Sequence, residues 1–159
     1  MNLQTALIAY AAAASLLTLT PGLDTAMVLR TAAVEGPRRA ALAALGIGCG
    51  CLAWGLAVAL GLGVLLKASS LAYTVLRWAG AGYLIWLGAQ LLLKPRSRFD
   101  LTAERRGGGN WWLRGFLNNL LNPKVGVFYV SFLPQFIPSG ADVPSWTALL
   151  VGIHAATGE

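Results

Sequence analysis

The stretch AALAALGIGCGCLAWGLAVALGLGVLL, residues 40–66, runs for 27 residues without a charged side chain. As a helix it reaches roughly 40 Å, enough to cross a hydrocarbon core of about 30 Å with some tilt. The rest of the 159-residue chain has the same character, with 57% hydrophobic and 11% charged residues. A soluble domain carries about 25% charged residues, so this chain has too little charge to cover a water-facing surface. It is also too apolar for disorder, and its glycine, proline and cysteine usage fits neither collagen nor a disulfide scaffold. The fold class expected is an all-α, polytopic helical membrane protein.

Other apolar segments flank this one. Segment one runs from about Leu3 to Leu29, segment three from Leu71 to Leu93, and segment four from about Leu113 to Ile137. A fifth run, Trp146 to Thr157, has 12 residues, too few to cross, so four full spans plus part of a fifth are expected. Ala11 to Ser15 resembles a signal cleavage site, but Met1 to Thr20 hold no Lys or Arg, so the segment reads as a retained span.

Loop charges set the orientation. Arg30 to Arg39 nets +2 and Lys94 to Arg114 nets +4, whereas the intervening turns carry only Lys67 and Asp142. Lys and Arg in short loops mark the cytoplasmic side, which places the N-terminus outside and makes residues 94–112 a cytoplasmic loop. Trp111 and Trp112 then suit the inner interface and Trp146 the outer one. The net charge of +6 is accounted for without nucleic acid. Cys49 and Cys51 point about 200° apart on a helix and read as free thiols, and no metal-ligand set or cofactor motif is visible. Gly46 and Gly50 form a small-xxx-small pair through which another helix can approach.

Two segments carry the functional signal because each is broken by proline. A proline inside a spanning helix removes a hydrogen bond and frees carbonyls that lipid cannot satisfy. The breaks are Thr20-Pro21-Gly22-Leu23-Asp24 and Asn118-Asn119-Leu120-Leu121-Asn122-Pro123-Lys124. Pro21 and Pro123 stand 102 residues apart, and each break lies beside a charge. Segment four follows segment one after an odd number of crossings, three, so the repeats that the breaks mark are inverted in the membrane, with a substrate site expected between them. Residues 1–93 form the first repeat and 113–159 part of the second.

These residues resemble a known family. Leu19 to Asp24 resembles the LTPGPD signature of the LysE/RhtB amino-acid exporter superfamily. Arg77 to Leu84 with Trp86-Leu87-Gly88, Arg114 to Lys124, and Phe132-Leu133-Pro134-Gln135-Phe136 look like its later motifs, in order along the chain. The resemblance implies a bacterial inner-membrane exporter of amino acids or relatives such as homoserine or its lactone, driven by the proton gradient. Its partners would be an amino-acid substrate, protons and the lipid bilayer, with pairing into a homodimer as a further expectation. Leu23 stands where the family usually has a second proline, which predicts a milder first break. The family usually has six spans, so this chain reads as shortened at its C-terminus.

The substrate and proton site is assigned to Thr20, Pro21, Gly22, Asp24, Asn118, Asn122, Pro123 and Lys124. An amino acid presents an ammonium and a carboxylate together. Asp24 suits the ammonium or the coupling proton, and Lys124 the carboxylate; the two are expected to pair when the site is empty. Asn118 and Asn122 share a helical face, whereas Asn119 is turned about 100° away. His154 reads as incidental, and Arg77 as a residue near the outer interface. A passive channel, a structural or assembly subunit, or a fragment that transports nothing are the competing functions. An enzyme is disfavoured because no nucleophile–base pair or metal set is present.

Overall fold

The computed structural model describes residues 3–93, 109–138 and 140–158, and among these every regular element is helical. The basic residues Lys94, Arg96, Arg98, Arg105 and Arg106 of the expected inner loop lie outside the described residues. In chain order the helices are α1 (Leu3–Leu19), α2 (Leu23–Glu35), α3 (Pro37–Ala68), α4 (Ser70–Leu93), α5 (Trp111–Leu120), α6 (Pro123–Val127) and α7 (Val143–Gly158). After α6 the chain continues through a π-helical turn, Phe128–Phe132, and a 3-10 turn, Leu133–Phe136.

Local sequence explains the breaks. Gly36 separates α2 from α3 with φ of 97°, a left-handed conformation that glycine adopts without a Cβ penalty. Pro37 then opens α3 at a position where its missing N–H costs nothing. Residues Pro37–Gly61 are long and apolar enough to cross a membrane. Gln4–Leu19 and Leu23–Glu35 qualify together if their two arms, bent by 51°, are one span. Among the described residues, length and composition thus mark one such helix, or two with the bent pair, where four spans are expected. Segments one and four, read as single spans, are each divided into shorter pieces, and the division falls at Pro21 and Pro123.

α3 packs against α5, α2 and α7. Its contact with α5 is made by glycine on both sides. A Cβ on Gly46 would stand 1.9 Å from the Trp112 carbonyl oxygen, and one on Gly115 would stand 1.9 Å from that of Ala43. The two backbones therefore touch, and Gly50 leaves the space filled by the Asn119 side chain. This is the close approach that small residues permit between membrane helices. A second cluster, including Tyr10, Cys51, Val125, Phe128, Tyr129 and Leu150, joins α1, α3, α7 and the chain after α6. Leu16, Leu45, Leu56, Leu60 and Ile85 are all more than 60% exposed, an apolar exterior suited to lipid. Trp111 departs from its expected place as an interfacial anchor. It is buried, with the Arg114 guanidinium 4.5 Å from its ring centroid, whereas Trp112 is partly exposed and stacks on Phe116.

Replacing Gly46 or Gly115 by valine drives a side chain into backbone, which no rotamer change relieves. Either variant is expected to lose about 3 kcal/mol or more, the upper end for overpacked cores. Gly48→Ala, where a Cβ meets nothing within 4 Å, should stay within about 0.5 kcal/mol of the parent. Unfolding titrations of the purified protein in detergent check both.

Candidate functional site

The first break begins where α1 ends at Leu19. Thr20 Oγ turns back to donate to the Leu16 carbonyl at 2.8 Å, and the chain stays non-helical until Leu23 opens α2. Asp24 then lies in the first turn of α2, where a carboxylate interacts favourably with the helix dipole. The second break begins at Leu121. Asn122 is extended, with φ −79° and ψ 109°, as a residue before proline must be, and Pro123 starts α6. The Asn122 side-chain oxygen accepts from the Lys124 backbone N–H at 3.1 Å and caps the new helix.

Each break is closed by side chains from the other. Lys124 Nζ donates to the Leu17 carbonyl at 2.5 Å and to the Thr20 carbonyl at 2.6 Å, the oxygens released at the end of α1. In return, the Asp24 carboxylate accepts amide hydrogen bonds from Asn118 at 2.6 Å, Asn119 at 3.0 Å and Asn122 at 3.0 Å. Gly22 borders this brace, with the Lys124 stem lying 3.5 Å from where its Cβ would stand.

Three expectations are corrected here. Asp24 and Lys124 form no ion pair within 4 Å; each charge is taken up by uncharged hydrogen-bond partners from the opposite break. Asn119, assigned to the wrong face, is buried and bonds to Asp24 beside Asn118 and Asn122. Asn118 and Asn119 are neighbours within α5, and each donates to a different oxygen of the Asp24 carboxylate, so their separation of about 100° does not keep Asn119 from the site. Asn122 lies beyond the end of α5, in the extended conformation that a following proline favours. His154, read as incidental, is 7% exposed, and its Nδ1 lies 2.9 Å from the Tyr129 hydroxyl. Arg77 lies over the Trp78 ring, with 6.0 Å from its guanidinium carbon to the ring centroid.

Between the breaks lies a cavity of about 50 Å³ lined by Thr18, Gly22, Asp24, Asn119, Asn122, Lys124 and His154, among others. At roughly 10–15 Å³ per water position it admits a few waters. Two larger cavities adjoin it. One of about 500 Å³ includes Trp54, Leu76, Tyr83, Asn122 and Val130; one of about 410 Å³ includes Leu16, Thr20, Leu84, Lys124 and Phe132. Both walls are mostly apolar, with Asn122 and Lys124 as polar points. Among the described residues no group of three or more His, Cys, Asp or Glu side chains could hold a metal ion. Cys51 is buried beside Asn119, and Cys49 is half-buried.

Residues 15–157 match the model of a family described as LysE type translocator. The chain is 30% identical to the uncharacterized membrane protein YrhP of Bacillus subtilis (strain 168), over 92% of this chain and 75% of that protein. It is 37% identical to a homoserine/homoserine lactone efflux protein of Salmonella typhi, over 81% of this chain and 63% of that protein. A leucine efflux protein of Klebsiella pneumoniae is 33% identical, over 85% of this chain and 65% of its own length. The chain thus spans from 63% to 75% of these relatives' lengths, less than two thirds of the two efflux proteins. No solved structure matches.

Removing the Asp24 carboxylate leaves three amides without their acceptor, and each buried unsatisfied donor costs about 1–3 kcal/mol. Asp24→Ala is therefore expected to destabilise the protein by about 3 kcal/mol or more, and Asn118→Ala, at the half-buried end of the set, by about 1 kcal/mol. Denaturant titration of the two variants in detergent reads the difference.

Proposed function

Since this chain belongs to the LysE type translocator family, we propose that it is a secondary exporter of amino acids or close derivatives across the bacterial inner membrane, driven by protons moving inward. Its named relatives are efflux proteins for homoserine or its lactone and for leucine. The observation that carries the reading is the crossed bracing of two broken helices around one cavity. It sets a carboxylate and an ammonium into the same wall, each held by groups that a ligand can replace.

The chemistry matches a zwitterion. The substrate ammonium takes over from the asparagine amides at Asp24, and the substrate carboxylate takes over from the Leu17 and Thr20 carbonyls at Lys124. Thr20, Pro21, Gly22 and Pro123 shape the two breaks, while Asn118 and Asn122, with Asn119, hold Asp24 when substrate is absent. The cavity of about 50 Å³ is smaller than an amino acid, so the braces must part for substrate to enter, and parting them frees both breaks to rearrange. The larger apolar cavities on either side give the substrate's uncharged side chain a place to lie.

In this reading the N-terminus is periplasmic, the basic loops are cytoplasmic, residues 1–93 form one three-helix repeat and residues 113–159 part of its inverted counterpart. Broken helices in matched positions of inverted repeats are where transporters place their sites. A second copy of the chain would pack as a homodimer partner.

Cells loaded with threonine, homoserine or leucine and expressing this chain should expel at least one of them faster than control cells. Losing a charged hydrogen-bond partner costs about 1.5–3 kcal/mol, so Asp24→Asn and Lys124→Met should each slow that efflux roughly tenfold or more at equal expression. Efflux that is the same in both variants as in the parent would contradict the reading.

A further inference from the structure

His154 is a buried titratable side chain to which the zwitterion site gives no task. It projects from α7, the helix that packs on α1 and α3, and it lines the same cavity as Asp24 and Lys124. The Tyr129 hydroxyl fixes its ring at 2.9 Å from Nδ1. Tyr129 is itself in the π-helical turn that follows α6, so the break at Pro123, Tyr129 and His154 are joined in sequence and in space. Single π turns inside helices occur frequently at functional positions.

We propose that His154, oriented by Tyr129, carries the proton whose inward movement drives export through the Asp24–Lys124 site. This rests on the exporter reading above and adds the residue that couples it.

The other titratable and charged groups around His154 are occupied or chemically unsuited. From α2, Asp24 has amide donors on both oxygens, an arrangement made for an acceptor-only carboxylate. From α6, Lys124 is spent on the end of α1. From α3, Cys51 receives the Asn119 amide, and from α1, Tyr10 packs edge-on and tilted against Phe136 and Phe128. Imidazole is the side chain that ordinarily changes charge between about pH 5 and 8. The tyrosine partner suits both of its states. In the neutral tautomer protonated at Nε2 the Tyr129 O–H donates to Nδ1; with both ring nitrogens protonated the Nδ1–H donates to the phenol oxygen. The ring thus keeps its orientation while its charge changes.

Coupling follows from charge. A substrate ammonium at Asp24 and a proton on His154 are like charges in one small, water-poor space, competing for the same carboxylate. Occupancy by one expels the other. The imidazole takes a proton from the outer side after substrate leaves outward, and releases it inward when the next substrate ammonium enters, so each zwitterion that moves outward is exchanged for one proton that moves inward.

Transport by the purified chain in liposomes tests this with radiolabelled threonine, homoserine and leucine. Two measurements are compared, accumulation driven by an imposed pH gradient and substrate counterflow without one. His154→Gln, which can still bond to Tyr129, is expected to retain counterflow while gradient-driven accumulation falls about tenfold or more, the loss of one charged-group interaction of about 1.4 kcal/mol. Tyr129→Phe is expected to retain both activities with a displaced pH profile. Gradient-driven accumulation persisting in His154→Gln overturns the proposal, and so does loss of both activities in a variant that still elutes as folded protein. An unmoved pH profile in Tyr129→Phe overturns the tyrosine's part and leaves the ring without its positioning partner. Absence of counterflow in the parent chain would instead remove the exporter reading, and this inference with it.

Discussion

A proline in a helix surrounded by hydrocarbon exposes backbone carbonyls to a medium with no hydrogen-bond donors, and several kcal/mol are lost for each one left bare. Two such helices in one small protein double the cost unless something inside the fold answers it. Here the answer is reciprocal. The ammonium of Lys124, at the second break, donates to the carbonyls of Leu17 and Thr20 at the first. The carboxylate of Asp24, at the first break, accepts the amides of Asn118, Asn119 and Asn122 at the second. Neither break is satisfied without the other. α1–α2 and α5–α6 are thereby tied together although they are far apart in sequence.

The rest of the fold serves this crossing. α3 is the long apolar helix against which the asparagine-bearing helix lies, and glycine at positions 46, 50 and 115 brings α5 close enough for Asn119 to reach Asp24. α7 closes the cavity with His154, and the π turn between α6 and α7 supplies Tyr129. In the proposed exporter, a site held by hydrogen bonds that the ends of a zwitterion can replace is stable when empty and able to open. Under the proposed reading, the uncharged amides and carbonyls on Asp24 and Lys124 offset part of what a substrate's charged ends gain there, which favours release as well as binding.

Much of this was legible in the sequence, and the failures have identifiable causes. The charge-free run at residues 40–66 announced α3, and Pro21 and Pro123 announced the breaks, because composition and proline chemistry act locally. Charges and amides beside a broken apolar helix pointed to Asp24, Lys124, Asn118 and Asn122, and the structure brings them together across the two breaks. The direct Asp24–Lys124 pair was a wrong inference. Opposite charges near one another suggested it, but the backbone carbonyls freed at the first break take up Lys124, and the asparagine side-chain amides at the second take up Asp24. Asn119 lies about 100° round α5 from Asn118, but the two oxygens of the Asp24 carboxylate take one of their amides each, so adjacent asparagines on one helix both reach it. His154 and Tyr129 were out of reach, since their meeting depends on how α7 packs and on a π turn that leaves no simple periodic trace.

The central claim is that Lys124 and Asp24 receive the two charged ends of an amino acid. Binding of threonine, homoserine or leucine and of the corresponding amine lacking the carboxylate, to the parent chain and to Lys124→Met in detergent, tests it most directly. The parent should prefer the amino acid over the amine by about 10- to 100-fold, the worth of one charge-assisted hydrogen-bonded contact. In Lys124→Met that preference should collapse toward unity while the amine still binds. A Lys124→Met protein that keeps the full preference for the carboxylate-bearing ligand would contradict the account.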